Sequence, residues 1–233
     1  MRTITIEGPG KNALGTERMR DLLGQLDAAG TEPLLVTGAG DAFSAGLDLK
    51  EVHGADLAGM RVFLTLLTEL LVRIFEHPAP TVAAVNGHAI AGGCIVALVC
   101  DHRVATTNER ARIGLNEVAL GLRFPPRVLD LCRFRIPSSS HHEVFLGAGL
   151  HRPEDALRLG LVDALADDPV AAGQAVLEGW ARHPRNAYTA AKRALRADVG
   201  VVDAEADARF EEEILPVWCG DAIKATLAGF LKR

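Results

Sequence analysis

Residues 80–121 read PTVAAVNGHAIAGGCIVALVCDHRVATTNERARIGLNEVALG. The segment opens on a β-branched, apolar run, Thr81 to Val85, which reads as a buried strand. Asn86-Gly87 breaks the run. A second glycine pair, Gly92-Gly93, then precedes Cys94 to Cys100, an apolar piece of helical length. Strand, glycine-rich turn and buried helix in that order can aim backbone N–H groups and a helix N-terminus at a negatively charged atom. Farther on, Glu117 stands among Ile113, Leu115, Val118 and Leu120, where a lone carboxylate needs a partner or a purpose. Read alone, the segment fits an ordinary strand and helix with packing glycines equally well. It does not read as a membrane span, because Asn86, Gly87, His88 and the glycine pair leave no apolar run near the roughly 20 residues required.

The chain has 233 residues, enough for one good core without a second domain. A formal charge of −5, with both signs interspersed, gives no reason to expect nucleic acid as the main ligand. Cys94, Cys100, Cys132 and Cys219 show neither C-x-x-C nor zinc-type spacing, so reduced thiols and no metal site are expected. Met1 leads almost directly into a strand pattern without a signal-like segment, so a cytoplasmic location is the expectation.

Working outward, Arg2 to Glu7 alternates like a half-exposed strand, and Thr16 is placed to cap a helix from Glu17 to Ala29. Pro33 to Thr37 reads as a second strand entering the glycine-rich loop 38–46. That loop is no phosphate cradle, since it lacks a Gly-Lys-Ser/Thr ending and Phe43 stands where a third glycine is needed. A long amphipathic helix follows at about 57–76, ended by Pro78 and Pro80. Short strands are expected near Val104 and Ile113. Helices are expected from Ser138–Ser140 through Leu146, over Pro153–Leu159, and then at about 169–182, 185–197, 201–214 and 221–231. Strands and helices alternate first and helices alone finish, which is an α/β fold with a helical tail.

Taken together, TGAGDAFSAGLDLKE, the 80–105 segment, IGLNEVALG, KNAL near the start and EDALRLGLVD after Pro153 resemble the crotonase (enoyl-CoA hydratase/isomerase) superfamily. These pieces run in the family's order and spacing from about residue 3 to 165. The resemblance implies a crotonase-like spiral of ββα units over residues 1–165, a C-terminal helical trimerisation region over 166–233, and an acyl-CoA thioester as substrate. Coenzyme A would enter as part of that substrate, with no other cofactor. It implies a homotrimer or a dimer of trimers. It also implies an oxyanion hole built from the backbone N–H groups of Leu47 and Gly92, with Ala45 at the adenine and Glu117 as the catalytic base. Hydratases of the family carry a further glutamate where this chain has Ile95, and Ile95 should face the substrate pocket from one turn beyond Gly92. The resemblance is therefore greatest to the Δ3,Δ2-enoyl-CoA isomerase branch, which keeps only the later glutamate. A dienoyl-CoA isomerase would need an acid at Pro125.

Other readings stay open at this level. The same fold supports hydratases, thioester hydrolases and decarboxylases, and one branch binds RNA. Asp48 reads as a local cap rather than a catalyst, and His141-His142-Glu143 as solvated surface. His88 reads as structural, and Phe63 and Leu67 as core residues beside the acyl pocket. Lys50, Lys192 and Lys224 are the candidate partners of the coenzyme A phosphates. Large apolar residues from Phe210 to Phe230 exceed what a free tail should expose, which points to assembly.

Overall fold

The structure, a computed structural model, describes residues 1–201 and 204–231. Its strands are β1 (Arg2–Ile6), β2 (Leu34–Gly38), β3 (Ala42–Ser44), β4 (Thr81–Val85), β5 (His88–Ile90), β6 (His102–Thr106), β7 (Ile113–Gly114) and β8 (Ala164–Ala166). They form two sheets, ordered β1-β2-β4-β6-β8 and β3-β5-β7. Every pairing between named strands is parallel. From β2 onward even strands lie in the large sheet and odd strands in the small one, so each turn of the chain lays one strand in the large sheet, one in the small sheet, and then a helix. That is the spiral of ββα units the resemblance implied.

Parallel strands buried on both faces need cover on both sides. Leu34 and Val36 of β2, with Ala83 and Val85 of β4, face the main core. Leu35, Val82 and Ala84 point the other way and pack with Val104 and Leu177. The second face is covered by the Pro169–Ala181 helix. Gly173 lets that helix approach, since a Cβ there would lie 3.1 Å from Leu35 Cδ1 and 3.3 Å from Val82 Cγ1.

Several elements depart from the sequence reading. Thr16 is the first helical residue and Gly15 the N-cap. One of the free N–H groups is met instead by a carboxylate from elsewhere, because Thr16 N donates to Glu51 Oε2 at 2.8 Å, and the Thr16 hydroxyl donates to Glu51 Oε1. The polar stretch after Leu47 is a short helix, Leu49–Gly54, with Asp48 Oδ1 accepting from Lys50 N and Glu51 N, the cap reading made for Asp48. The expected helix through Leu146 is a 3-10 turn, Ser138–Ser140, followed by a π-helical turn, His142–Leu146. Its end is fixed by an i→i+5 bond from Gly147 N to His142 O. Of the expected 201–214 helix, Val201 is not helical, and residues 202 and 203 lie outside the described ones. From Ala204 the described chain runs through Ala204–Arg209, a π turn at Phe210–Ile214, Leu215–Cys219 and Asp221–Leu231.

The apolar surplus of this last region is largely covered by its own chain. Ile214, Leu215, Trp218 and Leu227 are all buried, with Phe210 and Val217 half-buried. Amphipathic spacing marks a face that needs covering without saying what covers it. No single helix among the described residues is long and apolar enough to cross a membrane, although the bent pair Ala204–Cys219 and Asp221–Leu231 meets that test jointly by length and composition.

Candidate active site

The small sheet brings the sequence candidates together. Ser44 pairs with Ala89, and Ala89 pairs with Ile113, so these three residues form one row across β3, β5 and β7. Leu47 lies three residues beyond Ser44, Gly92 three beyond Ala89, and Glu117 four beyond Ile113. Neighbouring strands are about 4.8 Å apart, so the three residues that follow them emerge at one end of the sheet.

Glycine is what allows the two turns to touch. Gly46 has φ +92°, and a Cβ on it would lie 2.6 Å from Ile90 O. A Cβ on Gly93 would lie 2.5 Å from Ser44 O, and one on Gly92 would lie 2.8 Å from Leu47 Cδ2. The Leu47 turn is held by Leu14, whose N–H donates to Gly46 O at 2.7 Å and whose carbonyl accepts from Asp48 N at 3.0 Å. These two bonds flank the Leu47 N–H without using it. Gly92 opens the Gly92–Leu98 helix, two residues earlier than its apolar run begins, so its N–H has no intrahelical partner. Ala91 before it holds φ 49° and ψ −123°, a strained conformation for a residue with a Cβ. Two bonds hold it there: Ala91 N to Gly114 O at 2.9 Å, and Ile95 N to Ala91 O at 3.0 Å. Among the described residues neither Leu47 N nor Gly92 N donates a hydrogen bond.

Glu117 is 5% exposed, and its Oε2 is buried without a hydrogen-bond partner. Burial pushes its carboxyl up to about 7, opposed only by a bond to its own backbone. It stands between two small hollows. One, of about 80 Å³, is bordered by Ala45, Leu47, Ala91, Asn116, Trp218 and Phe230. The other, of about 10 Å³, is bordered by Leu67, Gly92, Ile95, Phe124, Val128 and Trp218. Ala45, Leu47, Gly92, Ile95 and Glu117, chosen from the sequence, thus each border one of these two hollows, Leu47 and Glu117 bordering both. Among the described residues, Glu117 is the only carboxylate that does. Larger hollows lie elsewhere, the one of about 340 Å³ being bordered by Leu64, Val72, Arg127 and Phe210, and touch none of the five.

Such a site supports proton transfer beside a polarised carbonyl. Two free N–H groups can hold a developing oxyanion, and a carboxyl ionising near neutrality can both take and return a proton. Thiol chemistry is disfavoured, because burial and the Glu117 charge push Cys94 up to about 12 and raise Cys132 strongly as well. No cluster of three or more His, Cys, Asp or Glu among the described residues is placed to hold a metal.

The sequence reading missed Trp218, Phe230 and Asn116. Trp218 Nε1 donates to Arg123 O at 2.9 Å, which pins the indole over Glu117's hollows. Asn116 Oδ1 is buried without a partner at the same cavity; its polarity beside Glu117 was the available signal. Lys192 is not placed to meet a ligand phosphate. It is 7% exposed and donates to Asp101 Oδ2 at 2.8 Å, in a network that also includes Arg196 and Tyr188. Lys50 is exposed and Lys224 half-exposed. His88 Nδ1 accepts from Arg112 N at 3.2 Å, a structural bond.

An all-parallel ββα spiral, with two unbonded amides and one buried acid bordering adjoining hollows at one end of its small sheet, is the architecture of a crotonase-type enzyme. The chain belongs to the enoyl-CoA hydratase/isomerase family, whose profile matches residues 1–222. It is 28% identical over 240 residues to human mitochondrial enoyl-CoA delta isomerase 1, covering 99% of this chain and 78% of that protein. It is 31% identical to 2,3-dehydroadipyl-CoA hydratase of Escherichia coli, covering 83% of this chain and 77% of that one. The crystal structure of human mitochondrial delta3-delta2-enoyl-CoA isomerase superposes with a TM-score of 0.89 at 26% identity, covering 99% of this chain and 92% of that one.

Proposed function

We propose that the protein isomerises an enoyl-CoA, moving its double bond from the 3 to the 2 position. The thioester oxygen takes the Leu47 and Gly92 N–H groups. Glu117 removes a proton from C2, the negative charge spreads to the oxygen held by those donors, and the same carboxyl returns the proton at C4. Electrons and protons balance without a second acid or a cofactor. Ala45 contributes backbone contacts to the adenine end of coenzyme A.

The observation that carries this reading is Ile95. It borders Glu117's hollow one helical turn beyond Gly92, where a hydratase of the family carries its second glutamate. Hydration needs one group to position and activate water while another handles the proton on the neighbouring carbon. An isoleucine does neither, and it keeps the enolate dry. The likeness to a hydratase of E. coli supports hydration as the second reading. Glu117→Gln keeps the shape and loses the base, so turnover should fall about 10²–10⁴-fold while acyl-CoA binding stays near normal. Unchanged turnover would remove Glu117 from this role.

We further propose a homotrimer, or a dimer of trimers, with the helices of 166–233 at its contacts. Exposed Leu195, Val201 and Leu231 support this placement.

A further inference from the structure

We infer that Trp218 closes the acyl end of the site and restricts the enzyme to short enoyl groups. This rests on the acyl-CoA reading above. With the thioester oxygen at the Leu47 and Gly92 amides and Glu117 over C2 to C4, later carbons must enter the hollow bordered by Leu67, Ile95, Phe124, Val128 and Trp218. That hollow has only about 10 Å³, room for roughly one water-sized sphere.

Its walls differ in how firmly they are built. Leu67 sits mid-way in the 19-residue Leu57–Phe75 helix, and Ile95 lies in the fully buried Gly92–Leu98 helix. Val128 belongs to the Pro126–Arg135 helix, and Phe124 packs edge-on against Phe145 with centroids 5.7 Å apart. Trp218 instead belongs to the five-residue Leu215–Cys219 helix, and its indole is 2% exposed and fixed by the bond to Arg123 O. It alone among these five walls also borders the hollow on the other side of Glu117. Removing the indole joins the two spaces and leaves the core walls in place. The hollow of about 340 Å³ shares only Pro125 with this cavity, and Glu69, Arg73, Arg127 and Asp130 on its border make it a poor place for an alkyl tail.

The test compares binding and turnover across chain length. Calorimetry with saturated hexanoyl- and dodecanoyl-CoA measures the fit without any reaction, and kcat/KM is measured for the matching 3-enoyl esters. The wild type should bind and turn over the longer ester at least about 10-fold less well, the scale of forcing extra methylenes into packed space. Trp218→Ala should erase or reverse that ratio. Leu67→Ala opens the same hollow from a core helix and should move the ratio the same way, which keeps the test alive if the Trp218 variant folds poorly. Equal binding of both esters by the wild type would overturn the inference and leave the isomerase reading standing. Failure of both esters to bind would overturn the acyl-CoA reading itself, and this inference with it.

Discussion

Replacing Glu117 by Gln removes an acid whose ionised form the fold disfavours, so the variant has a signature in stability as well as in turnover. Burial raises the carboxyl from 4.5 to about 7. That shift multiplied by about 1.36 kcal/mol per unit gives roughly 3 kcal/mol. The sign follows from which state holds the proton more tightly. Folded Glu117 keeps its proton at pH values where unfolded Glu117 has lost it. Its contribution is therefore fully present below about pH 4.5 and lost as pH rises through about 7. Gln does not titrate, and any cost of its buried amide is the same at every pH. Urea unfolding of both proteins from pH 5 to 8.5 should show the variant gaining on the wild type by up to about 3 kcal/mol as pH rises. A difference that stays constant across that range would refute the buried-acid assignment, whatever happens to activity.

The same ionisation should govern catalysis, with kcat/KM for a 3-enoyl-CoA rising with pH and levelling above about 7; a flat profile down to pH 5 would contradict it. Gly93→Ala puts a Cβ 2.5 Å from Ser44 O, so the two turns must part. Its kcat should fall about 10²-fold, the worth of one oxyanion donor, in a steady-state assay. Ile95→Glu sets a second carboxylate beside Glu117 and should raise the pKa of the pair, cutting isomerisation at pH 7 by about 10-fold or more; wild-type rates there would count against the shared pocket. Asp101→Asn leaves Lys192 and Arg196, both nearly buried, without their counter-ion. It should cost about 3–5 kcal/mol by urea unfolding. Light scattering at micromolar concentration should give a trimer or hexamer mass rather than a monomer.

What the sequence made legible was what local punctuation decides. The two glycine-rich turns and the single acid in apolar company follow equivalent positions of three parallel strands. Leu47, Gly92 and Glu117 were named from the resemblance carried by the motifs around them, and the small sheet sets all three at one end. Ile95 followed from helical spacing relative to Gly92. The rest depended on distant partners. Trp218 lies about 100 residues beyond Glu117, and its apolar surroundings read equally well as a surface for another chain or as a cover for its own cavity. Lys192 looked available because a lysine on an amphipathic helix is usually solvated, while its carboxylate partner Asp101 sits far back in the β4–β6 region. Thr16 lost its capping role to Glu51 for the same reason. A propensity describes a residue's neighbours in sequence, and here the decisive neighbours were in space.

The reaction itself is decided most directly by giving the wild-type enzyme 3-hexenoyl-CoA and crotonyl-CoA side by side and identifying the products. One carboxylate facing Ile95 predicts isomerisation of the first at least about 10²-fold faster than hydration of the second, the scale of one missing acid–base group. Rapid hydration of crotonyl-CoA with no isomerisation of 3-hexenoyl-CoA would contradict the account.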